Sequence, residues 1–301
     1  MTPTGRLLKK VNINFLTENI NFNFMKNIFD ETLTTGAEGM VGSYVDFGYK
    51  MGRRSIDITD LNEVLAVCRK YKPKAIIHLA AETDVDRCER DPQYAYLVNS
   101  IGTYNMAIAA KEVGAKFVYI STSAVFSGLK KKPYEETDEP DPQSYYGRSK
   151  LLGEIIVKNI LKDYIIGRVC WMFGGGPKKD QKFVAKIIRQ ISQPEINVVT
   201  EKYGSPTYGK DLIGAIKKLI TKEEVGIFHL SNEGTPSRSE VVSEIIKITN
   251  SDATVKEVEQ GFFDKDNYQK RPNNESMVSK VKIMRPWQDA IREYILNEWK
   301  G

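Results

Sequence analysis

The strongest constraint on this chain is its rhythm. "LNEVLAVCRKY" (61–71) carries apolar residues at helical spacing and stops just before Pro73. "KAIIHLAA" (74–81) is a near-continuous apolar run, as expected of a strand buried on both faces. "PQYAYLVNSIGTYNMAIAAKEVG" (92–114) predicts a long helix ending at Gly114, and "KFVYISTSAVFSG" (116–128) a strand running into a loop. "YYGRSKLLGEIIVKNIL" (145–161) predicts another helix, and "YIIGRVC" (164–170) another strand. Repetition of this βαβ kind predicts an α/β protein with a doubly wound parallel sheet covered by helices on both faces.

The ends of the chain break the rhythm. "VNINF" and "NINFNF" alternate apolar residues with Asn, so residues 1–25 read as an N-terminal extension. "NIFDETLTTGAEGMVGS" (27–43) predicts a strand entering a glycine-rich turn, although Asp30 and Glu31 suit a buried parallel strand poorly. Past residue 171, helical segments at 181–192, 209–221 and 238–249 mix with short strands such as "INVVT" and "TVKEVE". The expected division is a dinucleotide-binding domain over 26–170, with returning segments near 203–231. A smaller, discontinuous substrate-binding lobe is expected over 171–202 and 232–301.

Gly36, Gly39 and Gly42 stand at G-x-x-G-x-x-G spacing. Glycines so placed let the backbone turn tightly and approach a pyrophosphate, as in a Rossmann-type fold. A helix starting near Met40 is expected to present free N–H groups and a positive dipole end. Glu38 has no obvious place beside phosphates. The acidic residue that usually follows about 20 positions on, to take the ribose hydroxyls, is missing. Arg53 and Arg54 lie there instead. They read either as acceptors of a 2′-phosphate, favouring NADP(H) with NAD(H) as the alternative, or as solvated turn residues.

In "SYYGRSK" (144–150), Tyr146 stands four positions before Lys150, which stacks a phenol and an ammonium on one helix face. Composition narrows what such a pair could serve. The net charge is only +5, with no dense basic run beyond "LKKK" (129–132), so nucleic acid is not an expected partner. Three isolated cysteines suggest reduced thiols in a cytoplasmic protein. With two histidines in the chain, no metal site is expected. No apolar run is long enough for a membrane span, and the N-terminus lacks a signal peptide's apolar core.

Together "GAEGMVG", "DITD", "HLAAETDVDRCERDP", "YISTSAVFSG" and "YYGRSK" resemble the extended short-chain dehydrogenase/reductases. "RVCWMFGG", "KYGSPTYGKDL", "RPNNESMVS" and "RPWQDAIREYI" narrow the resemblance to the dTDP-4-dehydrorhamnose reductase branch, over roughly residues 32 to 296. The resemblance implies reduction of the 4-keto group of a nucleotide-linked 6-deoxysugar, with homodimers common among such enzymes. It implies Thr122, Tyr146 and Lys150 as the catalytic triad. The cofactor would be bound by Gly36, Glu38, Gly39, Met40, Val41, Gly42, Arg53 and Arg54. Asp57 and Ile58 would line the adenine, and Leu79, Ala80, Ala81 and Asn99 would lie beneath the cofactor with Tyr146 and Lys150. Thr83, Val85, Ser123 and Trp171 would meet the sugar, with helix capping as the other reading for the segment around Asp84.

The chemistry supplies its own reason for these residue types. Hydride delivery to a ketone creates an alkoxide that needs a proton at once. A free phenol titrates near 10. A neighbouring ammonium and an oxidised nicotinamide both favour the phenolate and are expected to lower that value towards operating pH. Members of this branch often read Ser-Thr-Asp-Tyr where this chain has Ser121, Thr122, Ser123 and Ala124. Ser123 and Ala124 cannot supply the acids that water elimination needs, so dehydration is disfavoured. A nucleotide-sugar epimerase and a non-catalytic NADP-binding regulatory subunit remain the alternatives.

Overall fold

Burial on both faces selects the central strands. A computed structural model of the chain describes residues 28–263 and 272–299. The expected extension at 1–25 and the Arg271 of "RPNNESMVS" lie outside the described residues. The first half runs β1 (Thr32–Thr35), β2 (Tyr49–Met51), α1 (Leu61–Tyr71), β3 (Ala75–His78), α2 (Val85–Arg90) and α3 (Pro92–Tyr96). A π-helical turn, Leu97–Ile101, joins α3 to α4 (Gly102–Val113), so the expected long helix carries a bulge. Then follow β4 (Lys116–Thr122), α5 (Tyr145–Ile160), β5 (Tyr164–Val169), β6 (Met172–Phe173), α6 (Gly176–Lys179) and α7 (Phe183–Ile188). The chain continues through β7 (Glu195–Val199), β8 (Thr207–Tyr208), α8 (Gly209–Thr221), β9 (Gly226–His229), α9 (Arg238–Thr249), β10 (Thr254–Val258) and α10 (Trp287–Tyr294).

Six strands form one parallel sheet in the order β2-β1-β3-β4-β5-β9. Successive side chains point to opposite faces. Ile76, Phe117 and Ile166 therefore join a core with Met106 and Val157 under α4 and α5. Their neighbours Ile77, Val118 and Ile165 join Leu212, Ile216 and Leu219 of α8 on the other face. A third core, built around Phe173, Tyr208, Val241, Ile245, Ile291 and Tyr294, belongs to the later elements. There β7 and β10 pair as a separate two-stranded sheet, as do β6 and β8. No helix among the described residues is long and apolar enough to cross a membrane.

The first crossover departs from expectation. Ile28, Phe29 and Asp30 form a helical turn, and the strand begins only at Thr32, so Asp30 and Glu31 stay out of the sheet. No helix follows the glycine turn; Gly42–Tyr44 is a single 3₁₀ turn. Gly36 and Gly48, both at positive φ, bracket this segment and fold it too tightly for a helix. Val45, Phe47 and Phe29 fill the space a helix would occupy, with Phe29 and Phe47 edge-to-face at 5.3 Å. The Lys217 ammonium stands 4.8 Å from the Phe47 ring centre. The dipole argument for the pyrophosphate therefore fails, and only the backbone of the turn remains to meet it.

One buried ion pair ties α5 to the sheet. Glu154 accepts from Arg168 Nε at 2.9 Å and from Nη2 at 2.8 Å, and from the Ser121 hydroxyl at 2.6 Å. Glu154 is 1% exposed and Arg168 2%. Breaking one side of such a pair strands a charge, whereas replacing both with apolar groups often costs little. Glu154→Gln is expected to lose roughly 3–5 kcal/mol in urea unfolding. The double replacement Glu154→Leu with Arg168→Met is expected to recover most of that loss.

Candidate active site

Reversal of strand order around β1 opens a crevice at the carboxyl ends of β1 and β3, the position where open α/β sheets take their ligands. There the protein has a cleft of ≈ 2100 Å³. The glycine turn forms one wall. A Cβ on Gly36, at φ +66°, would sit 2.7 Å from Ala80 N, and one on Gly42 2.4 Å from Gly36 O. These two glycines are demanded by backbone packing. A Cβ on Gly39 would meet only Gly36 O, at 3.2 Å, so this glycine keeps the cleft wall low. Met40 and Val41 line the same wall, and Leu79, Ala80 and Ala81 the strand end beside it. Glu38 lays its carboxylate over Gly52, where an added Cβ would lie 2.3 Å from Glu38 Cδ.

At one end of the cleft Arg53 contributes to the wall and donates to the Tyr94 hydroxyl at 3.4 Å. Arg54 does not line the cleft; it is an exposed turn residue. Asp57 and Ile58 line this end. The Asp57 carboxylate accepts from the Thr59 hydroxyl at 2.7 Å and from Thr59 N at 2.9 Å, bonds that hold it below the usual carboxylate range. Asn99 is also displaced from its expected place. It is buried behind the wall, where its side chain bonds Glu82 N at 2.9 Å, Glu82 O at 3.0 Å and Ser149 Oγ at 3.0 Å. It braces the segment before Thr83 against α5 and does not line the cleft.

Thr122, Tyr146 and Lys150 come together as the sequence expects. Ser144 caps α5 by accepting from Gly147 N at 3.0 Å, which fixes the first turn that carries Tyr146. The Thr122 hydroxyl at the end of β4 lies near the Tyr146 phenol, close enough to hold back the rise of its pKa. Thr122 Oγ1 also accepts from Ala124 N at 3.2 Å, which orients it. Lys150 is buried, with its Nζ 4.1 Å from the centre of the Tyr119 ring. The electrostatics differ from expectation. Burial pushes Tyr146 up to about 12, with the Thr122 hydroxyl opposing and Cys88, Glu275 and Glu82 adding to the rise. Lys150 is the group that moves towards neutrality. Burial lowers it to about 7, and the nearby Glu154 carboxylate resists. Desolvation outweighs the neighbour here because Lys150 is buried, and Tyr146 half-buried, in the cleft wall.

The far end of the cleft holds Thr83, Val85, Ser123 and Trp171. Asp84 caps α2 by accepting from Arg87 N at 3.0 Å, so the capping reading holds for that residue. Trp171 has φ +35°, a rare conformation for a bulky residue. Its indole N–H donates to Glu275 Oε2 at 3.1 Å. Glu275 was not among the expected site residues. It lies within "RPNNESMVS", more than a hundred positions from Ser123, and no local pattern marks it. Among the described residues no group of three or more His, Cys, Asp and Glu side chains could hold a metal ion.

Comparison with known proteins agrees with this architecture. The model of the RmlD substrate binding domain matches residues 30–298. The spore coat polysaccharide biosynthesis protein SpsK of Bacillus subtilis (strain 168) is 34% identical over 279 residues, covering 88% of this chain and 96% of that protein. A dTDP-4-dehydrorhamnose reductase from Clostridium acetobutylicum superposes with a TM-score of 0.82 at 34% identity, covering 88% of this chain and 98% of that one. The dTDP-4-dehydrorhamnose reductase of Bacillus anthracis, solved in complex with NADP, superposes with a TM-score of 0.81 at 33% identity, over 88% of this chain and 98% of that one. With a parallel sheet, a glycine turn and a Thr-Tyr-Lys cluster in the matched region, the chain belongs to the RmlD substrate-binding domain family.

Proposed function

We propose that the protein reduces the 4-keto group of a nucleotide-linked 6-deoxysugar, in the manner of a dTDP-4-dehydrorhamnose reductase, with NADP(H) as its preferred coenzyme. The observation that carries this reading is the Tyr146 phenol beside the Thr122 hydroxyl, one helical turn before a buried Lys150, on the wall of a large cleft. Two of the relatives reported above are named dTDP-4-dehydrorhamnose reductases, and one of these was solved in complex with NADP.

The cleft suits that coenzyme. The low wall at Gly39 leaves room for a pyrophosphate against backbone. Arg53 stands at the adenosine end, where a 2′-phosphate would gain from a guanidinium. Asp57 and Ile58 would border the adenine. Bound there, the coenzyme supplies the hydride that reaches the ketone carbon.

The chain supplies the proton. With its phenol raised to about 12, Tyr146 is fully protonated at neutral pH and serves as donor. Its hydrogen passes from Oη to the ketone oxygen as negative charge develops there. The Thr122 hydroxyl donates a hydrogen bond to the same oxygen and sets its distance. Lys150, charged when the pH is below about 7, offsets the negative charge left on the phenol.

Two outcomes test this reading. In an NADPH-consumption assay over a panel of nucleotide-linked 4-ketosugars, Tyr146→Phe is expected to lose at least about a hundredfold in rate. An unchanged rate would remove Tyr146 from the chemistry. The second outcome concerns stability. An ordinary lysine titrates at 10.5 and Lys150 at about 7. Between these values the unfolded chain holds a proton that the folded chain releases. The cost of burying the charge is therefore full below pH 7 and vanishes above 10.5. Lys150→Met should raise the melting temperature at pH 6–7, and the gain should shrink as the pH approaches 10. A gain independent of pH would contradict the depressed titration.

A further inference from the structure

Resting on the reductase reading above, we propose that Glu275 is a substrate-positioning residue whose carboxylate accepts a hydrogen bond from a ring hydroxyl of the sugar, selecting substrates that carry that hydroxyl beside the reacting ketone. The argument begins with where the carboxylate stands. Glu275 lines the cleft with Ser123, Trp171 and Tyr146. Its Oε2 accepts from the Trp171 indole at 3.1 Å, and its Oε1 faces the Ser123 hydroxyl at 3.5 Å. Its charge reaches the Tyr146 phenol and helps to keep it protonated. An ionised carboxylate offers about four lone-pair sites and no donor. Two neighbours use part of that capacity, and among the described residues no cation pairs with Glu275. A half-buried anion at the proton-transfer end of a cleft is costly unless something further is bonded to it. A polyol supplies the donors that this anion lacks.

The carboxylate is also held rigidly. Glu275 N donates to Tyr203 O at 2.8 Å, and Tyr203 N donates to Asn273 O at 2.9 Å. Next to it, the buried Asn274 amide donates to Lys130 O at 2.7 Å and to Lys132 O at 3.1 Å. On the opposite side, Trp171 is fixed in its left-handed conformation by packing. A Cβ on Gly204 would lie 2.2 Å from Trp171 Cε2, so the indole rests directly on that backbone. The Arg238 guanidinium covers the same ring at 5.5 Å. Strain of this kind persists only where the surroundings enforce it. Here its result is an indole N–H aimed at Glu275. Ser123 and Ala124 bring no acid to this end of the cleft, so Glu275 is the carboxylate next to Trp171 and Ser123 there.

The test compares wild type with Glu275→Gln on a nucleotide-linked 4-ketosugar bearing its ring hydroxyls and on analogues in which the C2 and C3 hydroxyls are replaced in turn by hydrogen. Glutamine keeps the size and can still accept from Trp171. The expected result is a loss of roughly 10- to 100-fold in kcat/KM on the full substrate. The loss should be near onefold on the analogue lacking the contacted hydroxyl, with the Kd for NADPH unchanged. An equal loss on every sugar, or no loss on any, would overturn the proposal. A second readout does not depend on turnover. With NADP bound, quenching of tryptophan fluorescence by the nucleotide-linked 6-deoxysugar and its deoxy analogues should show the same pattern in Kd. That pattern without any reductase activity would sink the reductase reading and keep the role of Glu275. Glu275→Asp, which retains the charge, should fall between the two; should Glu275→Gln fail to fold, Glu275→Asp discriminating the two sugars no less than wild type would count against the proposal.

Discussion

The site depends on an amine buried in the wall of the cleft. Lys150 is 3% exposed, and its ammonium lies against the face of Tyr119. An isolated ammonium in such surroundings gives up its proton. Glu154, one turn further along α5, pulls the other way. Glu154 is itself shared with Arg168 and Ser121, so the charge of the site is balanced by strand β5 and by the residue before Thr122. On the other side, burial and then the Lys150 charge push His78 down to about 3. The neutral imidazole bridges the Thr35 and Thr103 hydroxyls, at 2.8 and 3.3 Å. A polar column thus crosses the sheet beneath the cleft, and its members are fixed by contacts that double as folding contacts.

The far end of the cleft is built differently. It gathers Ser123 from the end of β4, Trp171 from the end of β5, and Glu275 from the segment that follows β10. None of these is placed by a helix periodicity. Each is placed by hydrogen bonds to irregular backbone, as in the links from Asn274 to Lys130 and from Glu275 to Tyr203. Rigid scaffolds carry function on such segments because loops can vary without disturbing the core.

This division explains what could be read from residues alone. The strands that are apolar on both faces, such as Ala75–His78, announce themselves by composition, and the four-residue spacing of Tyr146 and Lys150 announces its own geometry. Helices α1, α8 and α9 fell within the expected segments because their apolar spacing and ends agree. Where two influences compete, the pattern misleads. Glycines at 36, 39 and 42 suggest a turn entering a helix, but the crossover between Gly36 and Gly48 folds so tightly that only a 3₁₀ turn fits. Arg54 and Asn99 have the right neighbours in sequence and the wrong direction in space. Glu275 left no local signal because its role comes from a contact across more than a hundred residues. The direction of the phenol's shift was missed for a related reason: the sequence reports the spacing to an ammonium but not the depth of burial.

Direct titration of the Lys150 side chain separates these influences. Protein labelled with ¹³C at the lysine ε-carbon, with Lys150→Met to assign the resonance, would report its protonation between pH 5 and pH 11 in the coenzyme-free state. The account predicts a midpoint near the value of about 7 set by burial. A midpoint at the ordinary lysine value of 10.5 would mean that the ammonium is hydrated, and the arrangement described for the site would not hold.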